Sequence, residues 1–302
     1  MKIISSNRVQ KPNLFILGAP KCGTTSLFFW LAQHNQVFAP KEKEPHYFYN
    51  PYGNAPTTEK YFGLYDTLEE SYRYAIDSSV WYLFSKTAAS RILSEIESPK
   101  FIVCLRNPLE LAPSLHFQQI YAGREAIRSF DDAWALSEER YNGSFTGCLK
   151  IDEHADPRHM SYKHASMLGD QTANLIKNVG QENVFYCFME DLSSKPEAIF
   201  FELCEFLELD FPRDIVYQIK NKAKKSRSRW VSSALNGLSK LKSNLGLNRQ
   251  TGLLTWVVKL NRVEVAYPKP NADMKRKMLL SFGEDIKILE NLTGRNLSHW
   301  LT

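Results

Sequence analysis

Short apolar runs alternate along the chain with stretches in which apolar residues recur every three or four positions. Four of the runs predict strands, at residues 14–17, 73–76, 101–105 and 184–188. The run at 101–105, Phe-Ile-Val-Cys-Leu, is almost wholly apolar, which is typical of a strand buried on both faces of a parallel sheet.

The helical spacing begins at Thr24, directly after a glycine-rich turn, and predicts a helix over residues 24–34. Further helical patterns cover residues 87–96, 169–179, 198–207, 230–241 and 275–289. Strands that alternate with helices predict an α/β fold, a three-layer sandwich with a central parallel sheet.

Composition is consistent with one globular domain over residues 1–302. The chain is 43% hydrophobic and 24% charged, with no internal repeat and no low-complexity linker. The apolar run at 253–258 is far too short to span a bilayer, and the N-terminal segment does not have the pattern of a signal peptide. We therefore expect a cytoplasmic protein without membrane insertion.

Charge and cysteine content narrow the ligand classes. A net charge of +5 and a pI near 8.8 fit an anionic ligand without requiring nucleic acid. The five cysteines are scattered and no cluster has zinc-ligand spacing, so we expect reduced thiols and no metal. The sequence does not indicate an oligomeric state.

The segment Gly18-Ala-Pro-Lys-Cys-Gly-Thr-Thr25 lies between the first predicted strand and the first helix. In that context, backbone N–H groups of the turn and of the helix N-terminus favour an anion. The segment has the glycines of a P-loop, but Thr24 occupies the place of the P-loop lysine and a lysine stands earlier, at Lys21. This change predicts a P-loop-like turn whose nucleotide has a different outer group.

The run Pro20-Lys-Cys-Gly-Thr-Thr-Ser-Leu27 resembles the 5′-phosphosulfate loop of the sulfotransferases that use 3′-phosphoadenosine 5′-phosphosulfate (PAPS) and release 3′-phosphoadenosine 5′-phosphate (PAP). The resemblance implies that the lysine stabilises the charge that develops on the leaving phosphate. It implies a donor site formed by the following residues: Lys21, Cys22, Gly23, Thr24, Thr25 and Ser26.

A second segment resembles the motif with which the same family binds the 3′-phosphate. The strand at 101–105 ends in Arg106-Asn-Pro, and Ser114 follows eight residues after the arginine. Ligands of open α/β sheets bind at the carboxyl ends of the strands, where an arginine can pair bidentately with phosphate. Taken by itself, Arg106 could instead cap the strand and pair with a surface carboxylate.

A basic run, residues 220–229, has six Lys or Arg side chains in ten positions. It lies where many family members have another 3′-phosphate loop, although it lacks the glycine of that loop. The resemblance assigns Arg227 to the donor site. A solvated basic face and a contact with an acidic acceptor are equally consistent with the run.

The segment Lys41-Glu-Lys-Glu-Pro-His-Tyr-Phe48 resembles the Glu-Pro-His-Phe-Phe segment of heparan-type and related bacterial sulfotransferases. The resemblance implies that Glu44 is the general base, although by itself it could be one more charge in a solvated run. His46, two residues on, could assist it or bind the acceptor, or could be a packed or exposed histidine without such a role. Small-molecule sulfotransferases of the cytosol use a histidine after a later strand, but that stretch here contains Asp77 and no histidine. Asp77 is either structural or an acceptor contact.

Two other classes of function remain open from the sequence. A small-molecule kinase would need magnesium and the P-loop lysine that Thr24 replaces. A non-catalytic nucleotide-binding or polyanion-binding module would use the basic run as its surface. The acceptor stays open between a small metabolite, a glycan and a lipid headgroup, and between O- and N-sulfation. Aromatic residues near the proposed base could line an acceptor pocket or belong to the core.

Overall fold

The computed structural model describes residues 11–49, 55–149, 156–218, 224–226, 262–264 and 269–302. A five-stranded parallel sheet forms the centre, with strand order β2-β3-β1-β4-β5. The strands are β1 (Leu14–Gly18), β2 (Val37–Phe38), β3 (Tyr74–Asp77), β4 (Lys100–Leu105) and β5 (Val184–Phe188). A separate antiparallel pair joins β6 (Lys224–Ser226) to β7 (Arg262–Glu264).

Helices flank this sheet, which confirms the predicted three-layer α/β fold. The helices in the described part of the chain are α1 (Thr24–Leu31), α2 (Thr58–Phe62), α3 (Ala88–Glu95), α4 (Pro108–Tyr121), α5 (Phe130–Ala135), α6 (Ser137–Tyr141), α7 (Tyr162–Ala165), α8 (Leu168–Val179), α9 (Met189–Ser194), α10 (Pro196–Phe206) and α11 (Ala272–Thr293). Short 3₁₀ turns lie between them, and one of them, Val80–Tyr82, follows β3 and bears on the candidate site.

The four predicted strands are confirmed, with shifts of one residue at some ends. The prediction missed β2, because two residues are too few to show a period. The first helix ends at Leu31 and not at residue 34. His34 instead contacts the carbonyl oxygen of Asp210 through Nε2 at 2.9 Å and accepts a hydrogen bond from the Gln36 N–H at 3.1 Å, in the turn that leads to β2. The pattern at 230–241 lies outside the described residues.

The central strands are buried because both of their faces are covered. Every residue of β1 is buried, and in β4 only Lys100 at its start is partly exposed. Phe15 and Phe101, neighbours in the β1–β4 register, stack with ring centroids 5.6 Å apart. This packing explains why both strands are near-continuous apolar runs in the sequence.

The strand order creates a crevice at the carboxyl end of β1. From β1 the chain builds β2 and β3 on one side, and then β4 and β5 on the other side. Loops that leave β1 and β4 therefore diverge, and such a switch point is where open α/β sheets bind ligands. The turn at residues 18–25, Arg106 and Asp77 all follow or end strands at this edge.

The long C-terminal helix α11 is fixed to α8 by one buried carboxylate. Asp285 accepts hydrogen bonds from the backbone N–H groups of Gly169 at 2.9 Å and Asp170 at 2.8 Å. These groups belong to the first turn of α8, which has no acceptors of its own for them. A Cβ atom on Gly169 would lie 2.1 Å from the Asp285 carbonyl oxygen, so glycine is needed for this close approach.

We predict that Asp285→Ala destabilises the protein by about 2–4 kcal/mol, because two buried N–H groups lose their acceptor. Asp285→Asn keeps one acceptor oxygen and should fall between this variant and the wild type. The measurement is urea unfolding followed by circular dichroism. Glu284→Ala is the matched control, since that side chain is 86% exposed and forms an ion pair with Lys287 on the helix surface. Equal stability of Asp285→Ala and Glu284→Ala would contradict the capping role.

Candidate active site

The glycine-rich turn after β1 is compact because two of its glycines have neighbours that exclude a side chain. Gly18 has φ 132°, and a Cβ atom there would lie 2.4 Å from the Cys104 carbonyl oxygen. Gly23 has φ 92°, and its Cβ would lie 2.6 Å from Leu192 Cδ1. Lys21 also has a left-handed backbone, with φ 76°. The sequence Gly-x-x-x-x-Gly is therefore required by contacts with β4 and α9.

The turn leads directly into the N-terminus of α1. The N–H groups of Ser26 and Leu27 donate to the Gly23 carbonyl oxygen at 2.9 and 3.2 Å, and Thr24 begins the helix. Thr24 and Ser26, the first and third residues of the helix, are both buried. The positive end of the α1 dipole thus lies at the crevice.

Cys22 differs from the other residues of the predicted donor loop. Its side chain is fully buried, and burial raises the pKa of its thiol far above the usual range. Its N–H donates to the Ala19 carbonyl oxygen at 3.3 Å, inside the turn. The Cys22 side chain therefore packs in the core beneath the turn.

Arg106 connects the turn to α4. Its Nη1 donates to the Lys21 carbonyl oxygen at 3.2 Å and approaches Ser114 Oγ at 3.5 Å. Its Nη2 forms an ion pair with Glu110 at 3.0 Å, one helical turn before Ser114. A surface carboxylate is thus present as well, while Nη1 of the arginine lies between the backbone of Lys21 and the Ser114 hydroxyl.

Two cations share the crevice. Burial and the positive charge of Arg106 lower the pKa of Lys21, because both disfavour a second positive charge at this place. The Arg106 side chain is only 15% exposed, so water screens this repulsion poorly. An anion bound between the two side chains would remove the repulsion, and the crevice therefore has the electrostatics of an anion site.

Glu44 lies in a turn with unusual backbone geometry. Glu44 and His46, on either side of Pro45, both have left-handed backbones, with φ 63° and 53°. One Glu44 oxygen lies 2.5 Å from Lys43 Nζ, and the other lies 3.7 Å from His46 Nε2. Two non-glycine residues in the left-handed region of backbone conformation, separated only by Pro45, indicate local strain of a kind that is common at functional sites.

The neighbours of Glu44 keep it ionised. Burial alone would raise its pKa, but the nearby His46 ring and both the charge and the hydrogen bond of Lys43 lower the pKa to about 2. Since the folded pKa lies below the ordinary value of 4.5, this carboxylate stabilises the fold above pH 4.5. That contribution is lost as the pH falls through about 2.

The Glu44 turn lies at the carboxyl end of β3, where the His46 N–H donates to Ser79 Oγ at 3.0 Å. Hydrogen bonding with Cys187 and burial raise the pKa of Cys104 on β4, and the positive charge of Lys43 acts against them. Cys104 in turn lies beneath Gly18, whose missing side chain would touch it. Glu44 and Lys21 therefore belong to the same edge of the sheet.

Asp77 is buried and faces the protein interior. Its carboxylate accepts hydrogen bonds from three hydroxyls, Tyr61 at 2.7 Å, Ser79 at 2.6 Å and Tyr82 at 3.0 Å. Burial raises the pKa of Asp77, and the three hydroxyl donors oppose that rise. Of the two readings open from the sequence, the geometry favours the structural one.

Several residues near the site were missed by the sequence analysis. The sequence analysis gave Lys43 no role, although its ammonium lies 2.5 Å from a Glu44 oxygen. Ser79 and Tyr82 were not recognised as partners of the Glu44 segment, which their hydroxyls contact. The sequence does contain one sign of these contacts, which is the pair of hydroxyl side chains two and five residues after the last residue of a buried strand.

Other predicted features have simpler places. Most aromatic side chains near Glu44 are buried and belong to the core, as is seen for Phe48, Tyr61, Phe62, Trp81 and Tyr82. Glu190 and Asp191, to which the sequence analysis assigned no role, form ion pairs with Arg295 and so attach the C-terminal segment. Arg227 lies outside the described residues.

The comparison with protein families identifies the chain. A family model described as the sulfotransferase domain matches residues 11–252. The chain belongs to the sulfotransferase family. The match begins before β1 and includes the phosphate turn, Glu44, Asp77, Arg106 and Ser114.

Two proteins that are described as sulfotransferases are similar to this chain. A crystal structure of a sulfotransferase from Alicyclobacillus acidocaldarius superposes with a TM-score of 0.69, at 23% identity, and covers 97% of this chain and 100% of that one. At that identity the likeness shows the fold. The membrane-associated sulfotransferase kil1 of Dictyostelium discoideum is 32% identical over 108 residues, which are 35% of this chain. The matched part is only 23% of that relative's length.

The described residues contain neither a membrane-spanning helix nor a metal-binding cluster. None of the helices placed by the structure is both long and apolar enough to cross a membrane. Within the same residues, no group of three or more His, Cys, Asp or Glu side chains is arranged to hold a metal ion.

Proposed function

We propose that this sulfotransferase moves a sulfuryl group from PAPS to a hydroxyl or amine of its acceptor. The observation that supports the proposal is the convergence of Lys21, Arg106 and Ser114 on one crevice at the N-terminus of α1. PAPS carries anionic groups at both its 5′ and 3′ positions, so it needs two cationic contacts a short distance apart. Lys21 faces the phosphosulfate end in this proposal, and Arg106 with Ser114 binds the 3′-phosphate.

In the proposed reaction, the acceptor oxygen or nitrogen attacks the sulfur in line with the bridging oxygen. The new bond to sulfur forms while the bond from sulfur to the bridging oxygen breaks. The leaving electron pair stays on the 5′-phosphate of PAP, where Lys21 and the α1 N-terminus stabilise the added charge. The acceptor proton passes to the Glu44 carboxylate.

Glu44 has the protonation state that a general base needs, but in the free protein its low pKa makes it a weak base. A carboxylate with a pKa of about 2 is ionised over the whole physiological range. It is a weak base while Lys43 and His46 bind it. An acceptor that displaces either partner would raise the pKa of Glu44 and make it a better proton acceptor. His46 then lies beside the acceptor and can bind it.

The rival functions have no observation in their favour. Thr24 begins α1 at the place of the P-loop lysine, and the lysine of the turn is Lys21, which Arg106 contacts through its carbonyl oxygen. The basic run at 220–229, on which a polyanion-binding module would depend, lies largely outside the described residues. We propose no role in binding nucleic acid.

We also propose a single domain over 1–302 and a cytoplasmic location. The tie between α8 and α11 through Asp285 supports one domain that extends beyond the family match. All five cysteines are free, and Cys104 and Cys187 are register neighbours on β4 and β5 without a disulfide. Adjacent reduced thiols are typical of a reducing compartment.

We predict that Arg106→Ala weakens PAP binding by about 10- to 100-fold, because a charge-assisted contact with the 3′-phosphate is lost. Isothermal titration calorimetry with PAP measures the dissociation constant. Arg73→Ala is the control, since Arg73 precedes β3 at the opposite edge of the sheet and pairs with Glu208. It should bind PAP like the wild type. An unchanged dissociation constant in Arg106→Ala would remove the arginine from the donor site.

We predict that Glu44→Gln and Lys21→Ala each lower sulfuryl transfer by about a hundredfold or more. Glu44→Gln removes the base, and Lys21→Ala removes the cation that stabilises the negative charge on the leaving phosphate. The assay follows ³⁵S from labelled PAPS into a panel of small metabolites, glycans and lipids. Glu42→Gln and Lys41→Ala, on exposed neighbours, are the matched controls. Near-normal transfer by Glu44→Gln or Lys21→Ala would refute the role of that residue.

A further inference from the structure

The carboxylate of Asp77 lies at the centre of a buried network that ends on the Glu44 turn. Asp77 is the last residue of β3 and is 1% exposed. The hydroxyls of Ser79, Tyr61 and Tyr82 donate to it at 2.6, 2.7 and 3.0 Å. Each of these three residues also contacts the segment from His46 to Phe48.

Two of the contacts are backbone hydrogen bonds. The His46 N–H donates to Ser79 Oγ at 3.0 Å, and the Phe48 N–H donates to the Tyr82 hydroxyl at 3.1 Å. The third contact is a stack of the Tyr61 ring on Tyr47, with centroids 4.2 Å apart and planes within 6°. One carboxylate is therefore joined, through one side chain each, to three consecutive residues.

The backbone N–H groups set the direction of both contacts. A hydroxyl has one hydrogen to donate and lone pairs to accept with. Because the N–H groups of His46 and Phe48 can only donate, the hydroxyls of Ser79 and Tyr82 accept from them and direct their own hydrogens to the Asp77 carboxylate.

The Glu44 turn needs such an anchor. The left-handed backbones of Glu44 and His46 each cost about 1–2 kcal/mol relative to ordinary conformations. Lys43 and His46 contact the Glu44 side chain, but they belong to the same turn and cannot fix its position against the sheet. The hydroxyls bound to Asp77 provide that connection.

We propose that Asp77 is a positioning residue for the base, which acts through Ser79 and Tyr82 to hold Glu44 and His46 at the carboxyl edge of the sheet. The catalytic meaning of this inference rests on the role proposed above for Glu44. The positioning itself is a property of the free protein, so it can be tested without an acceptor.

The test compares variants that remove one hydroxyl each. Ser79→Ala and Tyr82→Phe break the contacts with the turn. Ser78→Ala is the matched control, because Ser78 is an equally buried neighbour whose Oγ has no hydrogen-bond partner among the described residues. Tyr65→Phe is the second control, because its hydroxyl donates to the Ile76 carbonyl oxygen at 3.1 Å, whereas the N–H groups of His46 and Phe48 donate to Ser79 and Tyr82.

Two measurements report on the turn. Hydrogen–deuterium exchange of the His46 and Phe48 amides should become about tenfold faster in Ser79→Ala and Tyr82→Phe respectively, and stay unchanged in both controls. Carbon-13 NMR of the Glu44 carboxyl should show its pKa rising in Ser79→Ala from about 2 towards 4.5, because His46 no longer stays beside it. Ser79→Thr restores the hydroxyl and should restore both values.

Unchanged exchange and an unchanged Glu44 pKa in Ser79→Ala would overturn the inference, as would equal changes in Ser78→Ala. Global destabilisation would speed exchange throughout the sheet and leave the Glu44 pKa of the folded protein where it is, so it would also count against positioning. PAP binding by the same variants should equal that of the wild type. Failure of the wild type to bind PAP would instead contradict the proposed function and leave the positioning result intact.

Discussion

The repulsion between Lys21 and Arg106 is the constraint on which the site depends. The two cations are brought together at a poorly screened place, where burial and the charge of Arg106 lower the pKa of Lys21. The fold accepts this cost because β1 and β4 are neighbours, so the turn after one strand must meet the first residue after the other. Glu110 pairs with Arg106 from the outside, and an anion bound between the two cations would relieve their repulsion directly, at a place to which the α1 N-terminus adds its own positive field.

The opposite side of β1 has the complementary arrangement. There β3 ends in a buried carboxylate, and its hydroxyl partners hold a turn that presents another carboxylate, Glu44. The parallel sheet thus places a cationic half and an anionic half at one edge, on the two neighbours of β1. In the proposed reaction, an anionic donor attracted by cations and a carboxylate that accepts a proton would require this separation of charge.

How much of this could be predicted depends on how local each feature is. The phosphate turn lies within eight consecutive residues, and the strand before it and the helix after it are strong patterns, so Lys21 could be placed from the sequence. Arg106 and Ser114 share a strand end and the helix that follows. The role of Asp77 could not be predicted, because its partners are set by packing between β3, α2 and the Glu44 turn. The same holds for Asp285, whose helix was predicted but whose capping of α8 spans more than a hundred residues.

On the proposed function, the crevice binds a nucleotide that carries a 3′-phosphate, and this binding needs no metal ion. Calorimetric titration of the purified protein with PAP, and with 5′-AMP and ADP as controls, tests it most directly when no metal is added. We expect tight binding of PAP and much weaker binding of both controls, because only PAP engages Arg106 and Ser114 as well as the turn. Absence of PAP binding, or a preference for ADP that requires magnesium, would contradict the donor site and favour a kinase.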